Sequence, residues 1–149
     1  MRVVLASIAL ELATVFVAGG DEVRCSFHSI GGEHHCRVWR VHGDGSLYLP
    51  DGVRASRADT PVRLPELLHE LRSESYREGK GTWFRFSAHL DNAGELLTSE
   101  DFEQEPYTAD GGRFTHAAYL REQTVFPRDA MCSPAWFSAQ LLKPSAAMA

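Results

Sequence analysis

The chain has 149 residues, the length of one ordinary domain and enough to bury a core without disulfide or metal staples. A composition that is 44% apolar and 23% charged excludes a disordered or collagen-like chain. A net charge of −5 argues against nucleic acid or an anionic membrane as the main partner.

That charge is unevenly spread. From Phe86 to Gly112 there is no Lys or Arg, while Asp91, Glu95, Glu100, Asp101, Glu103, Glu105 and Asp110 supply seven negative charges. Without them the rest of the chain stands at about +2. Such a segment either meets a basic partner or simply keeps one face solvated. Cys25, Cys36 and Cys132 make an odd number with no framework of close spacings, which suits a reducing compartment; the expected location is the cytoplasm.

In chain order, Val3 to Val17 is largely apolar behind Arg2 and has the outline of a signal peptide. Glu11 interrupts it where an apolar region carries no charge, and it is too short to span a bilayer. The expectation is a helix over 3–18, ended by Gly19-Gly20, and no membrane partner. Strands over 22–30 and 34–42 flank Gly31-Gly32, a hairpin signal. A short third strand at 47–49 follows the turn at His42-Gly43-Asp44-Gly45, and residues 53–63 read as polar and irregular.

Pro65 then opens an amphipathic helix with Leu64, Leu67, Leu68 and Leu71 on one face and Gly79 just past its end. Strands over 82–90 and 95–98 come next, joined by a turn at Asp91-Asn92-Ala93-Gly94. A helix is expected over 114–123, and another running to Leu142 with Ser133 as its N-cap and Pro134 at its first position. The order α-β-β-β-α-β-β-α-α predicts a single α+β domain over 1–149. Its mostly antiparallel sheet of about five strands carries packed helices, and 143–149 form a frayed tail.

Cys25, His28, His34, His35 and Cys36 are ligand types that zinc uses. If Gly31-Gly32 are the two loop residues, however, Phe27 opposes Cys36 and Cys25 opposes Val38. The cysteines then point to an apolar face with Val23, Phe27 and Val38. Ser26, His28, His35, Arg37 and Trp39 point the other way. Buried thiols and a partly exposed histidine pair are the expected outcome, with no metal and no disulfide between diagonal cysteines. Cys132 with His116 is a conceivable nucleophile and base that no local motif supports. Gly43-x-Gly45 and Gly79-x-Gly81 are turn glycines rather than phosphate loops. No catalytic residue and no cofactor are expected.

The second half resembles the YezG-like family of bacterial immunity proteins. The residues that carry the resemblance are Gly79-Lys80-Gly81-Thr82-Trp83-Phe84, Leu90-Asp91-x-x-Gly94, Asp101-Phe102-x-x-Glu105-Pro106, Tyr119, Phe126-Pro127-Arg128 and Ser133-Pro134-x-Trp136. The match covers about residues 64 to 137, while the first 60 residues agree only in element order. Where an aromatic of Trp type is expected after Glu105-Pro106, Tyr107 is the candidate. The resemblance implies a protein that binds and blocks the toxic C-terminal domain of a secreted polymorphic toxin. Many such toxins are nucleases with basic clefts, so the contact surface is expected at Glu100, Asp101, Glu103, Glu105, Tyr107 and Asp110. Trp83, Tyr119 and Trp136 read as core and corner residues, and Arg128 as an ion-pair partner for the acidic segment. The alternative is a small Cys/His or metal-dependent hydrolase built on the 25–36 hairpin.

Overall fold

Two residues can close a hairpin in register with the strand twist when both adopt left-handed backbone, and Gly31 and Gly32 do so at φ of 57° and 87°. The structure, a computed structural model, describes residues 1–17 and 20–144. Around that turn run β1 (Glu22–Ile30) and β2 (Glu33–Val41). Before them lies helix α1 (Arg2–Ala13), and after them β3 (Leu47–Tyr48), β4 (Arg54–Ala58) and helix α2 (Leu64–Glu74). The chain continues with β5 (Arg85–Asp91), β6 (Leu96–Asp101), α3 (His116–Val125), a 3-10 turn at Ala130–Cys132 and α4 (Ala135–Leu141). The fold is α+β: one six-stranded antiparallel sheet, in the order β3-β4-β2-β1-β5-β6, with helices packed on it.

The sheet has one strand more than expected. β4 lies in the stretch read as irregular, and it pairs with β2 through Trp39↔Arg57 and Val41↔Ala55. Helix α1 stops at Ala13, short of the expected 18, where the Thr14 hydroxyl donates to the Glu11 carbonyl at 2.6 Å. Gly19, the expected stop, lies outside the described residues, as does the tail over 145–149. Strand β5 begins at Arg85 rather than Thr82, because side chains of Arg128 and Arg72 occupy the carbonyls of Thr82 and Trp83. The last helix is capped by Pro134 and not by Ser133, whose hydroxyl donates to Asp129 and closes the 3-10 turn.

Two compact units divide the chain. In the first (Met1–Phe27, Cys36–Leu71 and Phe86–Ser99), the buried positions are those the periodicities select. They are Val4, Ile8 and Leu12 in α1, Val23, Cys25 and Phe27 in β1, Leu64, Leu67, Leu68 and Leu71 in α2, and Phe86, Ala88 and Leu90 in β5. An ion-pair chain also runs here, with Arg24 held between Glu22 and Asp51.

The second unit comprises His28–His35, Arg72–Arg85 and the chain from Glu100 onward. Its core is Ile30, Phe84, Phe114, Ala118, Tyr119 and Phe137, with Trp136 and Leu141 packed against it. Inside that unit sits a fully buried charge pair. Arg72 Nη1 and Nη2 donate to Glu122 Oε1 and Oε2, both at 2.7 Å. Arg72 Nε donates to the Trp83 carbonyl at 2.7 Å, and Glu122 Oε1 also accepts from the Gly31 N–H at 2.8 Å. The fork–fork geometry and these further bonds offset the cost of taking both charges out of water.

Candidate functional site

The six residues expected to form a contact surface all fall in the second unit, between the end of β6 and the start of α3. The structure sorts them by task. Asp101 closes a turn, its Oδ1 accepting from the N–H groups of Glu103 and Gln104 at 2.8 and 2.9 Å. Glu105 is half-buried and satisfied from within: its Oε2 accepts from the Tyr119 hydroxyl at 2.7 Å and lies 3.3 Å from Arg113 Nε. Glu100, Glu103 and Asp110 are exposed, and none has an ion-pair partner among the described residues. The Asp110 carboxyl is held below its ordinary range by the Thr108 hydroxyl, and further by the Gly112 N–H.

Tyr107 is 42% exposed yet firmly held. Its N–H donates to His28 Nδ1 at 3.1 Å, and its carbonyl lies 3.2 Å from His35 Nδ1. A backbone N–H can only donate and a carbonyl only accept, so His28 carries no proton on Nδ1 while His35 does. The Tyr107 ring lies 4.0 Å from the His28 ring, and Arg85 sits 5.1 Å from its centroid. The two histidines were expected to be partly exposed. They are instead buried, at 5% and 9%, because the Tyr107 segment covers them.

Arg85 and Arg113 are the residues that bound the stretch without Lys or Arg, and both fold back onto Glu105. Arg85 Nε donates to the Glu105 carbonyl at 2.9 Å and Nη1 to Gln104 Oε1 at 2.9 Å. Between them opens a cavity of about 290 Å³ lined by Arg85, Glu105, Pro106, Tyr107, Gly111, Gly112 and Arg113. Reading the acidic segment for its own charges misses these two cations. Their position at its two ends is the signal that was there to find.

Apart from Leu90, Asp91 and Gly94, which fall in the first unit, the residues that carry the resemblance lie in this one. Gly79 and Gly81 adopt φ of 78° and 74°, and a Cβ at Gly81 would overlap the Arg128 side chain. Trp136 Nε1 donates to the Glu103 carbonyl at 2.7 Å, and Trp83 and Tyr119 are fully buried. Arg128 was expected to pair with the acidic segment. It bonds instead to the carbonyls of Thr82 and Phe102 and lies 4.0 Å from the Phe84 ring centroid. Burial pulls its pKa down to about 10.

The hairpin thiols are free; Cys25 is buried as expected, whereas Cys36 is only half-buried. Burial pushes the Cys25 thiol up, and that of Cys36 up to about 12, the direction opposite to an activated nucleophile. Among the described residues no group of three or more His, Cys, Asp or Glu side chains is placed to hold a metal ion. No helix among them is long and apolar enough to cross a membrane. No protein-family model matches the chain, and no curated protein matches its sequence.

Proposed function

We propose that this protein is an immunity protein that binds the toxic C-terminal domain of a secreted bacterial toxin and occludes its active site. The observation that carries the reading is the arrangement around Tyr107. An exposed aromatic, clamped at both its N–H and its C=O, lies in the same stretch of chain, 100–110, as the exposed carboxylates of Glu100, Glu103 and Asp110. A rigid aromatic loses little entropy on binding, and unpaired surface carboxylates steer a basic partner. A nuclease with a basic cleft is the toxin class such a surface suits, and the cytoplasm is where the protection would operate. The resemblance over residues 64 to 137 supports the same reading.

The test is capture from the source bacterium's lysate on the tagged protein at moderate salt, followed by mass spectrometry. The expected result is near-stoichiometric recovery of the C-terminal domain of a large secreted protein. Co-expression of the immunity protein then rescues cells that make that domain. The double variant Glu100→Lys/Glu103→Lys should melt as the parent does, bind the toxin more weakly and lose most of the salt dependence of association. Unchanged inhibition by that variant would reduce the acidic residues to a solubility feature.

A further inference from the structure

The cavity beside Tyr107 holds an unequal set of charges. Its lining contains two guanidinium groups, Arg85 and Arg113, and one carboxylate, Glu105. Glu105 is committed to Arg113 and to the Tyr119 hydroxyl. Arg85 bonds only to neutral acceptors, the Glu105 carbonyl and the Gln104 amide oxygen, and no carboxylate of the described residues reaches it. A half-buried guanidinium on a cavity wall without a counter-charge is complementary to an anion. A carboxylate matches the planar fork of Arg better than a point charge does.

The remaining walls fit the stem of an acidic side chain. Tyr107 and Pro106 present apolar surface, and the rim at Gly111 and Gly112 carries no side chain. We propose that this cavity is a socket for an Asp or Glu side chain of the partner protein, bound by Arg85 and Arg113 and lying along the Tyr107 ring. One such carboxylate brings the lining to two charges of each sign. The inference rests on the immunity reading and refines it: the outer carboxylates draw in a basic surface, and the socket sets its register by accepting one acidic residue.

The experiment needs no toxin. The full-length protein, labelled with ¹⁵N, is titrated at constant ionic strength with the peptide Ac-Gly-Glu-Gly-NH₂. Ac-Gly-Lys-Gly-NH₂ and inorganic phosphate serve as controls. The expected result is saturable shifts of the Arg85 and Arg113 Nε–H and Tyr107 amide signals with the Glu peptide and none with the Lys peptide. Arg113 is well exposed, so Arg113→Gln should fold normally and weaken the Glu peptide at least tenfold, with Arg113→Lys in between. No saturable shift, equal binding by Arg113→Gln, or phosphate binding tighter than the carboxylate would each overturn the socket. A captured toxin domain that binds Arg113→Gln as well as the parent sinks the socket and spares the immunity reading. A working socket in a protein that captures no toxin domain does the reverse.

Discussion

Arg72 and Glu122 join helices α2 and α3 through a two-pronged ion pair in which neither side chain retains more than 2% of its accessible surface. Because Glu122 also receives the Gly31 N–H and Arg72 also serves the Trp83 carbonyl, the pair fastens the hairpin tip and the start of the Trp83-Phe84 segment to the same point. Glu122→Ala leaves a guanidinium buried without its counter-charge, and should cost about 3–5 kcal/mol. Arg72→Met/Glu122→Leu removes both charges and should lose less than the single change, although two backbone groups still lose partners. Urea denaturation of the three proteins, compared at equal m-value, checks the order.

Two left-handed glycines should respond differently to the same change. At Gly31 (φ 57°) a Cβ would run into the backbone of Ala118, whereas at Gly94 (φ 87°) it would meet open space. Gly94→Ala then carries the backbone penalty alone, about 1 kcal/mol, while Gly31→Ala adds a collision and should exceed about 3 kcal/mol. Thermal melting of the two variants side by side measures the difference.

The acidic residues should separate into two groups under substitution. Glu100→Lys should change stability by less than about 0.5 kcal/mol, as exposed sites without partners do. Asp101→Lys removes the acceptor for two N–H groups in the turn after β6, and should cost about 1 kcal/mol. Equal melting of the two variants would show that the Asp101 turn contributes nothing to stability.

The hairpin thiols, Cys25 buried and Cys36 half-buried, give stability a dependence on alkaline pH. Cys36, raised to about 12 by burial, stays protonated in the folded chain while the unfolded thiol ionises from about pH 8.5. The unfolded chain therefore binds fewer protons in that interval, and stability falls as pH rises from about 8.5 towards 12. Cys25 and Tyr119 shift in the same direction, each chiefly by burial, and add to the slope. The urea midpoint should drop between pH 9 and 11 by less in Cys25→Ala/Cys36→Ala. At pH 8 a disulfide reagent should label Cys132 first.

Legibility differed from element to element for physical reasons. Gly31-Gly32 announced its hairpin because almost no other pair reaches that backbone, and α2 was evident from four leucines at helical spacing. β4 was not evident. Arg54-Ala55-Ser56-Arg57-Ala58 has no large apolar residue to alternate, and its strand state comes from pairing with β2. The end of α1 was misplaced because apolar residues continue beyond Ala13 while the helix does not.

In the candidate site, charge and the aromatic were readable, and their tasks were not. The partners that set those tasks are distant in sequence: His28 stands 79 residues from Tyr107, and Arg85 stands 20 from Glu105. A pattern within one segment cannot show which carboxylates a fold will use for itself.

The tip of the β1–β2 hairpin also bears on where this chain tolerates added sequence. Hairpin tips are ordinarily where inserted residues are accommodated. Here Gly31 is gripped by Glu122 and by Arg121 Nη1, which donates to its carbonyl at 2.6 Å, and Ala118 stands directly against it. An epitope spliced between Gly31 and Gly32 would pry α3 from its seat. The turn from Asp91 to Gly94, exposed from Asn92 onward and facing open space at its glycine, is the better place for a reporter.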